Sequence, residues 1–379
     1  MIELSEQTYA AVLRLKKGEG EAVGEIATEV ADHLLPIWIV PPPDDLEKGL
    51  LVDGSATDAV YPLGCSVGKY WPQRSCLLDP RFLVRKLGAT EATSWLPALF
   101  RAALSKGAKP VPTADLRTLE GDALKGFAQV AVDYTGSMAI RLRAADLERS
   151  DVTSRIHRVL RELVLKPSDC FLIMDFENLV ALQPDDIALI LAANFQRVME
   201  IGLWGQVIWV STTYPEANPA QPGKMLKLPR VEWDAWVEAG NQDRDLRRML
   251  MFGDYAADSA KFSFGGGGVQ PHRQYRYSTS SKWLLARGPE TGTVKQAMKS
   301  VATRIVDSGG FAGETFSRGD RDIYNLSKGI GGPGRPCDWR KTNTVHHLTR
   351  VTSDQASLFG FEVSRLVPQP DQVQVDLPL

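Results

Sequence analysis

Four carboxylates lie where acid–base chemistry at a protein site would need them. Glu19, Asp79, Asp175 and Asp254 each come at or soon after the end of a short apolar run. A carboxylic acid can donate or accept a proton, and a carboxylate can stabilise an oxocarbenium-like sugar while a glycosidic bond breaks. We take Asp175 and Asp254 as the main candidate catalytic residues, because a helix-capping role explains them poorly. We assign supporting catalytic roles to Asp79 and Glu19.

A basic segment is the second feature that could do chemistry. Residues 261–350 hold fifteen Lys or Arg and six Asp or Glu, a net charge of +9 in a chain whose total is −2. Cations attract phosphates and flat rings stack on bases, so the pattern favours nucleic-acid binding. The alternative is a solvated basic face with ordinary core aromatics. The candidate contacts, including two residues outside the segment, are Lys16, Tyr255, Tyr275, Arg276, Tyr277, Arg287, Arg321, Arg340, Lys341 and His346.

The strip Tyr275-Arg276-Tyr277 leaves two orientations open. On a strand, alternation sends both tyrosines to one face and Arg276 to the other. We expect exposed tyrosines that stack on bases, with Arg276 pointing into the domain to pair with a carboxylate such as Asp320. In the alternative orientation Arg276 faces the DNA and the tyrosines belong to the core.

These side chains need a scaffold that brings the ends of strands together. Short apolar runs alternate with helical segments, as in parallel β/α folds whose strands are covered on both faces. We predict a (β/α)8 barrel over residues 1–260, close to the usual barrel length of about 250 residues, with an open doubly wound sheet as the alternative. Barrel enzymes carry reactive groups at the C-terminal ends of the strands. The predicted strands are residues 9–15, 34–40, 75–79, 108–113, 137–142, 170–175, 206–211 and 248–252.

The basic remainder is predicted to be an α+β extension, residues 261–370, that packs on the barrel mouth and contacts nucleic acid. Four consecutive glycines at 265–268 are interpreted as a linker, since glycine accepts any backbone conformation. Beyond them the pattern predicts a β-hairpin over residues 275–287 and a basic helix over residues 293–308.

The remaining sequence signals argue against several other classes of protein. Four widely spaced cysteines without a C-x-x-C pair predict reduced thiols in a cytoplasmic protein rather than a zinc site. No H-E-x-x-H, G-x-S-x-G or P-loop motif is present, and adjacent His346 and His347 would point different ways on a strand, so we expect no metal and no cofactor. No apolar stretch approaches the roughly 20 residues of a membrane span, and no signal peptide is recognised.

The chain contains, in this order, the short motifs Lys16-x-Gly18-Glu19, Phe252-Gly-Asp-Tyr255, Tyr275-Arg-Tyr277, Trp283, Arg287-Gly288, Gly319-Asp320, Trp339-Arg340 and Thr344-x-His346-His347-Leu348. Taken together, these motifs resemble the Beta protein family. The resemblance spans nearly the whole chain, and the order of the C-terminal motifs is specific. The family often has Trp where this chain has Arg318, and Asn where it has Val345. These two differences argue against a stacking role at position 318 and a side-chain hydrogen bond at position 345.

The resemblance implies a role in bacterial defence against phages and DNA glycosylase activity on modified phage bases. The leading hypothesis is therefore an enzyme that binds double-stranded phage DNA, flips out a glucosylated or hydroxymethylated cytosine and leaves an abasic site. One alternative is a non-catalytic sensor or adaptor that signals to partner proteins of a defence operon. Another is a metal-dependent nuclease, although no D-x-D or E-x-K signature marks one.

Overall fold

Eight parallel strands close into a barrel. The computed structural model describes residues 7–45, 58–179, 183–261, 264 and 272–366. The first barrel strand hydrogen-bonds to the second on one side and to the last on the other, which completes the closure. The predicted (β/α)8 barrel is confirmed, and the open doubly wound sheet is wrong. The barrel strands, in order around the barrel, are β1 (Tyr9–Arg14), β2 (Leu34–Ile39), β3 (Ser75–Asp79), β4 (Lys109–Asp115), β5 (Met138–Arg143), β6 (Cys170–Asn178), β7 (Gln206–Thr212) and β9 (Leu250–Asp254).

Both faces of the barrel strands are buried, which is why they read as continuous apolar runs rather than as alternating ones. Side chains such as Val12, Ile37 and Ile173 belong to one core cluster, inside the barrel. Their sequence neighbours, such as Leu13 and Trp38, belong to a second cluster together with residues of the surrounding helices. The two clusters therefore alternate along each strand with the period of two that a pleated strand imposes.

Helices cover the outside of the barrel. The chain between β1 and β2 forms two helices rather than one, because Ile26 and Ala27 adopt extended backbone conformations between them. The helices between the strands are α1 (Lys17–Glu25), α2 (Thr28–Asp32), α3 (Val60–Tyr70), α4 (Arg81–Leu87), α5 (Ala92–Ser105), α6 (Gly121–Val130), α7 (Ala144–Leu147), α8 (Val152–Leu163), α9 (Pro184–Met199), α10 (Val231–Gln242) and α11 (Arg244–Met249).

A three-stranded antiparallel sheet lies beside the barrel. The predicted hairpin is confirmed as β10 (Gln274–Ser278) paired with β11 (Lys282–Arg287). The third strand, β8 (Met225–Pro229), was not predicted, and it comes from the chain between β7 and α10. The C-terminal sheet thus takes one strand from the range predicted as barrel. The glycines at 265–268, interpreted as a linker, lie outside the described residues.

Three helices complete the C-terminal part: α12 (Val294–Val306), α13 (Arg318–Ser327) and α14 (Pro336–Phe359). The predicted basic helix is α12. The 24-residue α14 packs against α1, α13 and β10, so it joins the barrel to the C-terminal sheet. Across the described ranges, none of the helices combines the length and the apolar character that a membrane crossing requires.

Candidate active site at the barrel mouth

A single buried guanidinium joins two carboxylates at the C-terminal end of the barrel. Arg141 on β5 is 0% exposed. Its Nη1 lies 2.9 Å from Asp79 Oδ2 at the end of β3, and its Nε lies 3.7 Å from Asp175 Oδ2 on β6. Two of the four predicted catalytic carboxylates therefore meet at the predicted rim, on either side of one positive charge.

Asp79 is also held by a second arginine. Arg81 Nε and Nη2 donate to Asp79 Oδ2 at 2.9 and 2.6 Å, and the Arg81 backbone N–H donates to Oδ1 at 3.0 Å. Two guanidinium groups thus compensate the charge of one carboxylate, and charge-assisted bonds of this kind fix its orientation. The contact is local, because Arg81 begins α4 two residues after the strand ends.

Asp175 has a different environment, in which hydrogen bonds dominate. The Tyr255 hydroxyl donates to both carboxyl oxygens at 2.7 Å, and the Glu177 backbone N–H donates to Oδ1 at 3.0 Å. Burial raises the pKa of Asp175, and the Arg81 charge and the Tyr255 bond oppose that shift only in part. A carboxyl that keeps its proton to higher pH is suited to act as a general acid.

Tyr255 was predicted to contact nucleic acid, and the structure contradicts this. Its side chain is buried beneath the barrel mouth, where the hydroxyl holds Asp175. Burial raises the pKa of Tyr255 well above its ordinary value, so the hydroxyl stays a hydrogen-bond donor. Tyr255 therefore fixes the orientation of the Asp175 carboxyl group.

An outer pair of charges lies beside this cluster. Arg143 on β5 pairs with Asp115 Oδ2 at 3.1 Å and with Glu177. Glu177 has a positive φ of 52° at a bulge in β6, a conformation that non-glycine residues rarely adopt and that often marks functional sites. Its side chain is 47% exposed, so it is the most accessible charge of the group.

Asp254 does not join this cluster, although it also ends a barrel strand. Tyr9 donates to its Oδ1, the Ala256 N–H donates to the same oxygen at 2.7 Å, and His347 Nε2 lies 2.8 Å from Oδ2. Burial lowers the pKa of His347, which keeps the ring neutral. The carboxylate is thus engaged by α14 rather than by a surface open to a substrate.

The contacts of Asp254 continue into the C-terminal part as a buried chain. His347 Nδ1 lies 2.8 Å from Ser278 Oγ, and His346 Nε2 lies 2.7 Å from the Ser278 carbonyl. His346 Nδ1 then lies 2.9 Å from Asp320, which accepts a bond of 2.6 Å from the Tyr277 hydroxyl. We call these six residues the histidine network: Asp254, His347, Ser278, His346, Asp320 and Tyr277.

Burial corrects three predicted nucleic-acid contacts: His346 and Tyr277 of the histidine network, and Tyr275 beside it. His346 and Tyr277 are no more than 1% exposed and stack on each other at 3.7 Å, and Tyr275 is 4% exposed in the apolar core of the C-terminal part. The expectation of exposed tyrosines is wrong, because the tyrosine face of β10 packs against α12 and its neighbours. The two histidines lie on α14 rather than on a strand, and both contact Ser278. Their other ring nitrogens face different carboxylates, Asp320 for His346 and Asp254 for His347.

Arg276 leaves the opposite face of β10 and lines a cavity. It pairs with Asp258, not with the predicted Asp320, and its guanidinium lies over the Tyr214 ring at 5.0 Å. Asp258 also pairs with Arg14 at 2.9 Å and with Arg340 at 2.7 Å. Three arginines from distant parts of the chain thus share one carboxylate.

Glu19, the fourth predicted catalytic carboxylate, lies in this arginine cluster and not beside Asp175. Arg14 Nε donates to Glu19 Oε1 at 2.9 Å, and Arg340 Nη1 lies 3.3 Å from the same atom. Burial raises the pKa of Glu19. Because α1 begins directly after β1, its first turn carries Glu19 toward α14 instead of toward the barrel axis.

The other predicted contacts are cations at or near the surface. Lys16 pairs with Asp45 at 2.5 Å, Lys341 with Glu25 at 2.6 Å, and Arg287 with Glu290 at 2.9 Å. Arg321 is half-buried on α13. In the described ranges, no group of three or more His, Cys, Asp or Glu is placed to hold a metal ion.

The ion pairs at the barrel mouth include Arg81 and Arg143, which were not among the predicted site residues. Arg81 follows β3, whose last residue, Asp79, was already a candidate, and Arg143 ends β5, which carries no carboxylate. An arginine at the end of a barrel strand is the signal that could have found them. The role of Asp258 had no such signal, because its three arginine partners come from β1, β10 and α14.

Glu232 predicts a specific dependence of stability on pH. It is fully buried and accepts bonds from the Thr213 N–H at 3.1 Å and from Trp283 Nε1 at 3.2 Å. Burial raises its pKa to about 7, although Arg230 opposes the shift. Between its ordinary pKa of 4.5 and pH 7 the folded state binds more protons than the unfolded state, so stability falls as pH rises through this window. We expect the loss to reach about 3 kcal/mol, since a tenfold change in proton affinity equals about 1.4 kcal/mol.

Glu232→Gln is expected to remove this contribution. Urea denaturation of both proteins from pH 4.5 to 8 should give a wild-type free energy of unfolding that declines relative to the variant across the window. Glu238→Gln, half-buried on the same helix, controls for a Glu→Gln substitution in α10. Parallel curves for wild type and Glu232→Gln would contradict the prediction.

The chain matches the model of the family described as Beta protein over residues 9–353. No curated protein matches the chain.

Proposed function

Because the chain belongs to the Beta protein family, we propose that it is a DNA glycosylase of bacterial phage defence. It excises a modified cytosine, glucosylated or hydroxymethylated, from double-stranded phage DNA and leaves an abasic site. The defence role and the activity are those that the motif resemblance implies, and a cytoplasmic location belongs to the same proposal. The observation that carries the catalytic part is the pair Asp79 and Asp175 on the two sides of the buried Arg141.

The pair offers two carboxyl groups in contrasting environments, as glycosidic hydrolysis requires. Asp175 has a raised pKa and donates its proton to the departing base. A water molecule then adds to C1′ of the sugar and returns a proton to the Asp175 carboxylate, which completes the hydrolysis. Asp79, fixed by Arg81 and Arg141, is the negative charge that stabilises the cationic sugar. Burial strengthens both effects, because electrostatic interactions are stronger where water is excluded.

Access to Asp175 sets a condition on the mechanism. Asp175 is fully buried, whereas the neighbouring Arg143–Glu177 pair is partly exposed. The proposal therefore includes opening of this pair when a flipped base enters the mouth. An extruded base is small enough for such a site, whereas an intact duplex is not.

Cations of the C-terminal part support DNA binding. Arg287, Arg321, Arg340 and Lys341 remain at least partly accessible after folding. Contacts to phosphates place a duplex without reading its sequence, which suits an enzyme that recognises a modified base. The tyrosines are not part of this surface, since they lie in the core.

The activity is tested by incubating the purified chain with duplexes that carry glucosylated, hydroxymethylated or unmodified cytosine, without added metal. We expect alkali-labile abasic sites in the modified duplexes and none in the unmodified control. Breaks that appear only after addition of Mg²⁺ would indicate a nuclease instead. DNA that is bound but intact in every condition would indicate a sensor.

The non-catalytic sensor has one observation in its favour. The carboxylates at the mouth are paired with arginines, and structural ion-pair networks can shift pKa values as active sites do. A sensor or adaptor would use the cations for DNA and the barrel only as a scaffold, and it would pass the signal to a partner protein of a defence operon.

A further inference from the structure

The cavity between the barrel and the last helix has the composition of an anion site. Its volume is about 300 Å³, at the lower end of the range of about 300–1,000 Å³ that small-ligand pockets occupy. It therefore admits one small ligand rather than a duplex. Its walls include Arg14, Lys16, Glu19, Arg276, Trp339 and Arg340.

Positive charge exceeds negative charge in this arginine cluster. Three guanidinium groups face two carboxylates, Asp258 and Glu19. Burying charge that is not compensated is unfavourable. Among the described residues, the guanidinium groups of this cluster outnumber the carboxylates, a balance that favours an anionic ligand.

Two arginines keep hydrogen-bond donors for a ligand. Within the described residues, Arg340 contacts Glu19 and Asp258 only through Nη1, and Arg276 uses its backbone N–H and Nη1 for its hydrogen bonds. The Nε and Nη2 atoms of both side chains have no acceptor there. A guanidinium presents these donors as a planar fork that matches the oxygens of a phosphate.

Glu19 adds a buried acceptor that has no partner. Its side chain is 4% exposed, it lines the cavity, and its Oε2 has no hydrogen-bond partner among the residues described. Buried polar atoms without a partner are rare, and each needs an explanation. A ligand hydroxyl or amino group would satisfy this oxygen.

The N-terminal turn of α1 forms part of the wall of the same cavity. Lys16 and Gly18 line the cavity, and a Cβ at Gly18 would lie 3.0 Å from the Cys337 carbonyl oxygen. Glycine thus lets the first turn of α1 approach α14 closely. The positive end of the α1 dipole is therefore near the arginines and favours a bound anion.

We propose that this cavity binds a single nucleotide unit, whose phosphate is held by Arg276 and Arg340. Glu19 Oε2 accepts a hydrogen bond from a hydroxyl or amino group of the same nucleotide. The nucleotide is either free in solution or part of a DNA strand, and for the second source the inference rests on the proposed DNA substrate.

The test is isothermal titration of 5′-dCMP and of a short single-stranded oligonucleotide into the full-length protein. We expect Arg340→Gln to weaken dCMP binding by about 10- to 100-fold, the usual effect of losing a charge-assisted hydrogen bond. Lys295→Gln, an exposed cation on α12 that does not line the cavity, should bind as the wild type does. Thermal melts show whether each variant folds. If Arg340→Gln does not fold, Arg340→Lys replaces it in the titration.

The outcomes separate this inference from the proposed function, since titration requires no turnover. Equal weakening of dCMP and oligonucleotide by Arg340→Gln supports a strand nucleotide, and weakening of dCMP alone supports a free one. Absence of dCMP binding, or an equal loss in Lys295→Gln, would overturn the site. If the protein excises no base but still binds dCMP through Arg340, the proposed glycosylase activity is wrong and the nucleotide site stands.

Discussion

Asp175→Asn is expected to fold and to bind modified DNA as the wild type does, but to release the base at least about 100-fold more slowly. Asparagine keeps the shape of the side chain and can still accept a bond from Tyr255. It has no acidic proton to give to the departing base, and general acid catalysis contributes about 10²–10⁴ in rate. Single-turnover measurement of abasic sites, with enzyme in excess, isolates the chemical step from binding.

Asp169→Asn is the matched control for this substitution. Asp169 lies just before β6, at the end of the strand opposite to Asp175, and its Oδ2 accepts a bond from the Lys166 N–H at 2.9 Å. Its variant should keep the wild-type rate, because the residue lies far from the mouth. A normal rate in a well-folded Asp175→Asn would exclude the proton-donor role of Asp175.

The sequence was sufficient to predict the barrel and part of the rim. Strands buried on both faces leave apolar runs that can be recognised one by one, and all eight are found near their predicted positions. Once the barrel is assumed, the last residue of each strand must lie at one mouth. Asp79 and Asp175 meet there for that reason, without any knowledge of their partners.

The sequence was insufficient wherever the outcome depended on packing between distant segments. Alternation on β10 separates the tyrosines from Arg276, but it does not say which face is covered by α12. The partner of Asp254 is His347, which is 93 positions later in the chain. Nothing local to Asp254 distinguishes a catalytic carboxylate from one that a later helix covers.

The family motifs acquire a structural explanation from this packing. Residues of the motifs around Asp254, Tyr277, Asp320 and His346 form the histidine network, which connects the barrel with the C-terminal sheet and α14. Motif residues of this kind preserve an arrangement of two parts of the fold. The residues that touch a ligand are then to be sought beside the network, in the arginine cluster and at the barrel mouth.

Asp254→Ala is expected to lower the free energy of unfolding by about 3–5 kcal/mol, the cost of removing one partner from a buried polar network. The substitution leaves the Tyr9 hydroxyl, the Ala256 N–H and His347 Nε2 without their acceptor in a fully buried place. A loss of this size is a large fraction of the stability of a typical domain. Urea denaturation followed by circular dichroism measures it.

Asp307→Ala, an exposed aspartate at the end of α12, is the control and should change stability by less than about 0.5 kcal/mol. His347→Ala and the double variant complete a cycle whose coupling energy isolates the Asp254–His347 contact. A coupling near zero would mean that the two residues act independently and that the network does not join the barrel to α14. If Asp254→Ala instead keeps its stability and loses base excision, the catalytic assignment of Asp254 is correct and its structural assignment is wrong.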